Sequence, residues 1–188
     1  MASRPGEIVE EHILWVRWNH RAREEYPEIE AAIERFDAGE RPAGQAAAEW
    51  LRDHGLDGES QPYLAMVQQE LVGFYAITAG EVELASGPRK QLGLIRPTQG
   101  ALIITWIAKS ARHLLDGSIL VNDAIGIAQE ISASVAATVL ALDPFDEATG
   151  EMWRKRFGMR NSRTRAPARD GEPALKRMFL PLRAPSSA

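Results

Sequence analysis

Chemistry is most concentrated in the segment KSARHLLDGS, residues 109–118. It joins an apolar, partly β-branched run, ALIITWIA, to a stretch of helical spacing that begins near Gly117. A strand that turns into a helix presents backbone N–H groups and the positive end of a helix dipole, which together make an anion site. Arg112 adds a guanidinium suited to phosphate oxygens, and Gly117 lets backbone approach a ligand closely. The same residues also read as a plain strand-to-helix turn capped by Asp116 or Ser118. Local spacing leaves both readings open.

Other chemistries are excluded or left without a motif. There are no cysteines, so thiolate metal sites, disulfides and cysteine nucleophiles are absent. The four histidines, His12, His20, His54 and His113, show no tight metal-ligand spacing, and no metal is expected. No phosphate-binding G-x-x-x-x-G-K-[ST] loop, G-x-G-x-x-G turn or G-x-S-x-G elbow occurs. The formal net charge of −4 excludes a uniformly basic nucleic-acid-binding surface but allows a local basic patch. With 188 residues, 45% of them hydrophobic, the chain can bury one real core. The start, MASRPGEIVEEH, lacks a basic stretch leading into an apolar run. No apolar run approaches the roughly 20 residues of a membrane-spanning helix. A soluble, cytoplasmic protein is expected, and the lack of cysteine fits a reducing compartment.

The elements that must position the segment follow from periodicity. Residues 7–24 read as a helix, on the spacing of Ile8, His12, Ile13, Val16 and His20. Pro27 can open a second helix, PEIEAAIERF; residues 37–44 are a turn; a third short helix runs from about Gln45 to Asp53. PYLAMV and LVGFYAIT, separated by QQE, form an antiparallel hairpin. Residues 81–98 hold two glycines and two prolines and read as an irregular connection with at most one strand. After the ALIITWIA strand, Leu120, Ala124, Ile127, Ile131 and Val135 mark one helix face. A strand, AATVLALD, a helix, DEATGEMWRKRF, and a closing strand, LKRMFLPL, complete the chain before an APSSA tail. The order predicts a mixed α/β fold with a three-strand meander followed by helix, strand, helix and strand.

That succession of segments resembles the GNAT superfamily of N-acetyltransferases. Arg112-His113-Leu114-Leu115-Asp116-Gly117 aligns with the family's [RQ]-x-x-G-x-[GA] loop, whose amides hold the pyrophosphate of acetyl-CoA. GSILVNDA, ending at Ala124, is similar to its G-x-x-L-L-x-x-A helix start, and LALDPFDEATGEMWRKRFGM to its closing strand, acidic turn and helix. FDAGERPAGQAAAEWL and YLAMVQQELVGFYAITAGEVEL resemble segments of the toxin-type branch, which acetylates aminoacyl-tRNA. The match runs from about Phe36 to Leu182.

The resemblance implies a GNAT-like domain over residues 36–183; residues 1–35, which it does not cover, are expected as an added N-terminal helical arm, and residues 184–188 as a disordered tail. It implies antiparallel hairpin strands, then β-α-β-α-β around a central splayed strand. Acetyl-CoA as co-substrate is expected on Trp106, Ile107 and Ala108 of that strand and on Arg112, His113, Leu114, Leu115, Asp116, Gly117 and Ser118. The implied activity is acetyl transfer to a primary amine, with aminoacyl-tRNA the refinement. The alternative is a catalytically degenerate GNAT-fold module that binds a partner protein, a nucleotide-like ligand or RNA.

The chain departs from the family in two places. Leu115 stands where the loop has glycine, and Asp116 brings negative charge beside a phosphate site. Where active toxin-type members carry a tyrosine thought to protonate the leaving thiolate, this chain has Met152-Trp153-Arg154. Neither Trp nor Arg is a general acid near neutral pH. Tyr26, Tyr63 and Tyr75 lie elsewhere, Tyr75 at a hairpin position that usually packs. No catalytic residue is assigned.

Two further surfaces stand out. The C-terminal third concentrates basic residues: Arg154, Lys155, Arg156, Arg160, Arg163, Arg165, Arg169, Lys176 and Arg177. This is either a solvated charged face or a contact for phosphates, those of coenzyme A or of an RNA backbone. For RNA, the expected contacts are Arg154, Lys155, Arg156, Arg160, Arg163 and Arg165. Trp15 and Trp18, three apart on the expected N-terminal helix, either pack on the domain or offer a surface for a homodimer or partner protein.

Overall fold

The computed structural model of the chain describes residues 12–132, 134–167 and 174–182. In chain order its elements are β1 (Leu14–Arg17), α1 (His20–Glu25), α2 (Pro27–Glu34), α3 (Pro42–His54), β2 (Gln61–Val67), β3 (Glu70–Glu83), α4 (Ser86–Gln91), β4 (Thr98–Lys109), α5 (Ser118–Ser132), β5 (Val139–Leu142), α6 (Glu147–Phe157), β6 (Arg160–Arg165) and β7 (Lys176–Pro181). The strands follow the order β1-β2-β3-β4-β5-β7-β6 in one seven-stranded sheet. The fold is mixed α/β, as the order of segments predicts.

The chain divides into two compact units, one formed by the described residues of Met1–Phe74 with Ala108–Gly117, the other by those of Tyr75–Ile107 with Ser118–Ala188. In the first, β1 pairs antiparallel with β2, Val16 opposite Leu64. Phe74 anchors its core, edge-on to Phe36 at 5.7 Å and stacked on Trp50 at 6.4 Å. Such aromatic pairs add roughly 0.5–1.5 kcal/mol each beyond their burial. The β2–β3 connection is two residues long, and both have positive φ, Gln68 at 48° and Gln69 at 68°. That is the geometry of a tight hairpin turn whose twist matches the strands it joins.

In the second unit, Val82, Leu84, Ala101, Ile103, Val139, Ala141 and Phe179 form a buried cluster, with Leu92 and Leu94 packed against it. β5 is buried along its whole length, and its VLAL sequence is the continuous apolar run expected of a strand covered on both faces. It pairs parallel with β4 and antiparallel with β7. Asp146 caps α6 by accepting the Thr149 N–H at 2.6 Å, and Gly158, at φ 68°, ends it in the left-handed conformation.

The structure corrects several expectations. The predicted helix over 7–24 is absent among the described residues: Leu14–Arg17 is a strand, and the helix starts only after Asn19, whose Oδ1 accepts the Ala22 N–H at 2.9 Å. The run ILWVRW is rich in β-branched and aromatic residues, and pairing with β2 outweighs a helical spacing carried by few positions. With the helix goes the predicted helix face bearing both tryptophans: Trp18 is buried and Trp15 half-buried on the strand. Residues 7–11 of the expected helix, Arg169 and the expected tail at 184–188 lie outside the described residues.

Three more corrections concern extent. β3 runs on to Glu83 and α4 occupies part of the expected irregular connection. Residues Arg160–Arg165, to which periodicity assigned no element, form β6 against β7. The buried face of α5 is Leu120, Val121, Ala124, Ala128 and Ser132, rotated from the predicted face; Ile127 and Ile131 are half-buried, and Val135 lies beyond the helix, exposed.

Candidate functional site

β4 carries the first part of the expected site. Trp106 and Ile107 are half-buried and Ala108 is buried. The parallel ladder to β5 spans Ala101↔Val139 to Ile104↔Leu142, whereas β4 continues to Lys109. Beyond Leu142 the sequence is Asp143-Pro144, and a proline has no N–H to extend a ladder. The strand expected to be central and splayed therefore outruns its parallel neighbour.

The turn that follows is tied down at its start. The Ser110 N–H donates to the Val72 carbonyl at 2.8 Å and the Ala111 N–H to the Asp37 carbonyl at 2.9 Å. The Arg112 N–H donates to Ser110 Oγ at 3.2 Å. These amides are thus engaged within the protein. Leu115 is buried, 8% exposed, and its carbonyl accepts from Lys109 Nζ at 3.3 Å, whereas Leu114 is 82% exposed. Among the described residues the only non-glycine positive φ values are at Gln68, Gln69 and Ala136, so Leu115 has an ordinary backbone conformation. The left-handed backbone that a glycine at this loop position would permit is therefore not adopted at Leu115. Nor does the turn require glycine at 117, where a Cβ would meet only Lys109 Cδ at an ordinary 3.7 Å. His113 and Gly117 are half-buried, Asp116 is exposed, and Ser118 is the first residue of α5.

Arg112 is held by a residue that sequence reasoning missed. Its Nε donates to Asp37 Oδ2 at 3.2 Å. Asp37 Oδ1 in turn accepts the Gly39 N–H at 2.9 Å. That backbone hydrogen bond, and next the Arg112 guanidinium, hold the Asp37 carboxyl below its usual range. Gly39 has φ 84°, and a Cβ there would stand 3.2 Å from Ala111 Cβ, so both conformation and space favour glycine. Around them lies a polar cavity of about 580 Å³, lined in part by Glu34, Arg35, Glu49, Arg52 and Arg112. An aspartate two residues before a glycine is a turn signal that could have drawn attention to Asp37, though not to its partner.

Tyr75 and Trp153 occupy distinct surroundings. Tyr75 is fully buried, as its hairpin position implied, but its hydroxyl donates to Asp123 Oδ2 at 2.5 Å. Burial raises the Asp123 carboxyl above its ordinary range, the Tyr75 hydrogen bond opposing. Trp153 is 5% exposed and packs on Phe157, ring centroids 5.1 Å apart. At the position where the resemblance calls for a proton donor, the side chain is thus part of the core.

The basic third is largely engaged with neighbours. Arg154 and Lys155 face Glu151, and Arg163 faces Glu83 at 3.4 Å. Arg160 donates to Gln91 at 2.8 Å, Arg165 to the Ala174 carbonyl at 2.9 Å, and Arg156 lies over the Phe157 ring at 5.7 Å. Arg177 and Asp143 form a two-point pair at 2.8 and 2.7 Å. Among the described residues no cluster of three or more His, Asp or Glu is arranged to hold a metal, and no helix is long and apolar enough to cross a membrane.

The architecture is shared with solved structures. A tyrosine-to-phenylalanine mutant of KacT is 17% identical, with 80% of this chain and 87% of that one covered and a TM-score of 0.63. AtaT complexed with acetyl-methionyl-tRNAfMet is 17% identical, over 79% and 86%, at 0.61. A tyrosine-to-phenylalanine mutant of the AtaT toxin, bound to acetyl-CoA and the C-terminus of the antitoxin AtaR, is 15% identical, over 91% and 94%, at 0.59. The chain has the GNAT fold. At these identities the likeness is one of fold. No protein-family model and no curated protein matches the chain. Within the GNAT fold, β1 supplies the first strand that was not evident in the sequence, and β4 with its turn into α5 is the element on which the expected site residues fall.

Proposed function

We propose that the chain is an acetyl-CoA-dependent N-acetyltransferase acting on a primary amine, with the amine of an aminoacyl-tRNA as acceptor. The observation that carries this reading is the β4–β5 ladder: it stops at Ile104↔Leu142 while β4 runs on to Lys109 and turns into α5. A strand that runs on past the end of its parallel neighbour offers an edge along which an extended pantetheine chain can lie. Trp106, Ile107 and Ala108 would line the acyl end, and Arg112, His113, Leu114, Leu115, Asp116, Gly117 and Ser118 the pyrophosphate. The fold likeness to a toxin bound to acetyl-CoA and to one complexed with an acetylated aminoacyl-tRNA supports the same reading.

The chemistry is nucleophilic substitution at the thioester. The amine nitrogen attacks the carbonyl carbon, the C–S bond breaks, and the proton lost by the amine balances the one gained by the thiolate. Orientation of donor and amine supplies much of the acceleration, as effective molarity can reach about 10⁵ M or more in well-aligned cases. Buried Trp153 takes no part in proton transfer, and no catalytic residue is assigned. The cationic residues Arg154, Lys155, Arg156, Arg160, Arg163 and Arg165 are the proposed RNA contacts. A protein partner is proposed on the likeness to a toxin bound to the C-terminus of an antitoxin.

The test is incubation with labelled acetyl-CoA and charged tRNA, followed by isolation of acetylated aminoacyl-tRNA. Acetyl-CoA should also raise Tm, because a ligand bound only by the folded state stabilises it. A binding-only module is favoured by one observation, the burial of Trp153 at the tyrosine position. Binding of acetyl-CoA without acetyl transfer selects that second reading, and absence of both binding and transfer overturns the first.

A further inference from the structure

The Asp37–Gly39 turn is built against the Ser110–Arg112 turn at several independent points. Main chain meets main chain, where the Asp37 carbonyl accepts the Ala111 N–H at 2.9 Å. Side chain meets side chain, where Asp37 Oδ2 accepts Arg112 Nε at 3.2 Å. Gly39, in a conformation that other residues rarely adopt, brings its backbone close to Ala111. The carboxylate cannot swing freely, since its other oxygen is fixed by the Gly39 N–H at 2.9 Å.

The choice of nitrogen matters. A guanidinium has five N–H donors in a planar fork, and a carboxylate that took two of them side by side would cover one edge. Asp37 bonds through Nε, and among the described residues the terminal nitrogens of Arg112 have no hydrogen-bond partner. The Arg112 side chain is 75% exposed and lines the polar cavity of about 580 Å³. A fork held by its stem, with its terminal donors outward, is preorganised for a planar or tetrahedral oxyanion.

We infer that Asp37 is a positioning residue: with Gly39 it orients the Arg112 guanidinium so that its two terminal nitrogens receive a phosphate oxyanion of the acyl donor. The inference rests on the acetyl-CoA reading above for the identity of the anion. The pair itself is exposed and contributes little to folding, because solvent and salt screen such ion pairs. Its effect therefore falls on ligand affinity. The opposite role, in which Asp37 competes with the ligand for Arg112, predicts the opposite sign.

The test is a double-mutant cycle of Asp37→Asn and Arg112→Gln in the full chain. The dissociation constants of acetyl-CoA and of inorganic pyrophosphate are measured by calorimetry, with Tm recorded for each variant. Asp37→Asn keeps an oxygen for the Gly39 N–H but offers an amide to Arg112. It should weaken acetyl-CoA binding about three- to tenfold in the wild-type background and have no effect in the Arg112→Gln background. Asp37→Glu should restore part of the affinity, and Tm should stay unchanged throughout.

Tighter binding by Asp37→Asn overturns the inference in favour of competition. Equal weakening in both backgrounds overturns it in favour of a general role in the turn, and so does a large fall in Tm. Wild-type protein that binds neither probe overturns the acetyl-CoA reading and this inference together. Wild-type binding that is insensitive to Asp37→Asn overturns this inference alone.

Discussion

The hydroxyl of fully buried Tyr75, on β3, donates to Asp123 Oδ2, on α5, at 2.5 Å. A tyrosine buried for its ring must also satisfy its hydroxyl, and here a carboxylate meets that need. Hydrogen bonds to charged groups contribute about 1.5–3 kcal/mol. Tyr75→Phe should lower the unfolding free energy by about that amount in urea denaturation. An unchanged midpoint would show that the carboxylate finds an equally good donor elsewhere.

The Asp123 carboxyl gives that pair a pH dependence. Its folded-state affinity for a proton is raised by burial above the ordinary 3.8. A group raised on folding stabilises the protein below its unfolded value, and that contribution is lost as pH rises through the folded value. Asp123→Asn removes the titration. From pH 4 to pH 7 the difference in stability should therefore move in favour of the variant. A difference that stays constant with pH would exclude Asp123 as the titrating group.

Arg177 and Asp143 are a half-buried, two-point pair, with side chains 15% and 21% exposed. Arg177 also reaches the Glu81 carbonyl at 3.4 Å. Removing one member of such a pair leaves a charge without its partner in a poorly solvated place. Arg177→Ala should cost about 2–4 kcal/mol, the upper part of that range if no water replaces the guanidinium. Lysine offers a point charge rather than a fork, so Arg177→Lys should recover less than half of the loss. Chemical denaturation of the three proteins decides it, and full recovery by lysine would rule out the two-point geometry as the source.

The Gln68-Gln69 turn is held in a conformation for which its residues are poorly suited. L-residues with left-handed backbone cost about 1 kcal/mol or more each, and Asn-Gly is the preferred pair in such turns. Gln68→Asn with Gln69→Gly should raise Tm by several degrees, corresponding to about 1 kcal/mol. A fall in Tm would mean that the glutamine side chains make contacts worth more than the backbone strain.

Trp153 is a packing residue. Trp153→Ala should destabilise by about 3–5 kcal/mol, the usual cost of deleting a buried aromatic side chain. A variant with wild-type Tm and altered acetyl transfer would reverse the assignment.

Amino-acid order by itself determined the elements whose cause is local. The helix α6 was legible because Asp146 supplies its cap and a basic last turn complements its dipole. α5 was legible as a helix because apolar residues recur every three or four positions, although its buried face was not, since several faces of this alanine- and isoleucine-rich helix are apolar. The β2–β3 hairpin and the β4 strand announced themselves by period and apolarity. The GNAT-like succession of segments was likewise written along the chain, and with it the turn from Lys109 to Ser118.

Tertiary structure decided the rest. β1 and β6 are short strands, β1 with Arg17 at its end and β6 with three arginines; β1 exists through pairing with β2, beyond three intervening helices, and β6 through pairing with β7, the next strand. Arg112 was visible as a cation, but Asp37, 75 positions away, was not visible as its partner. Tyr75 read as packing, and only the fold brings Asp123, 48 positions on, to its hydroxyl. The reason is physical: propensity, capping and periodicity act between residues a turn or a pleat apart, whereas these pairs form only once the sheet and helices are assembled, and their chemistry leaves no local pattern to read.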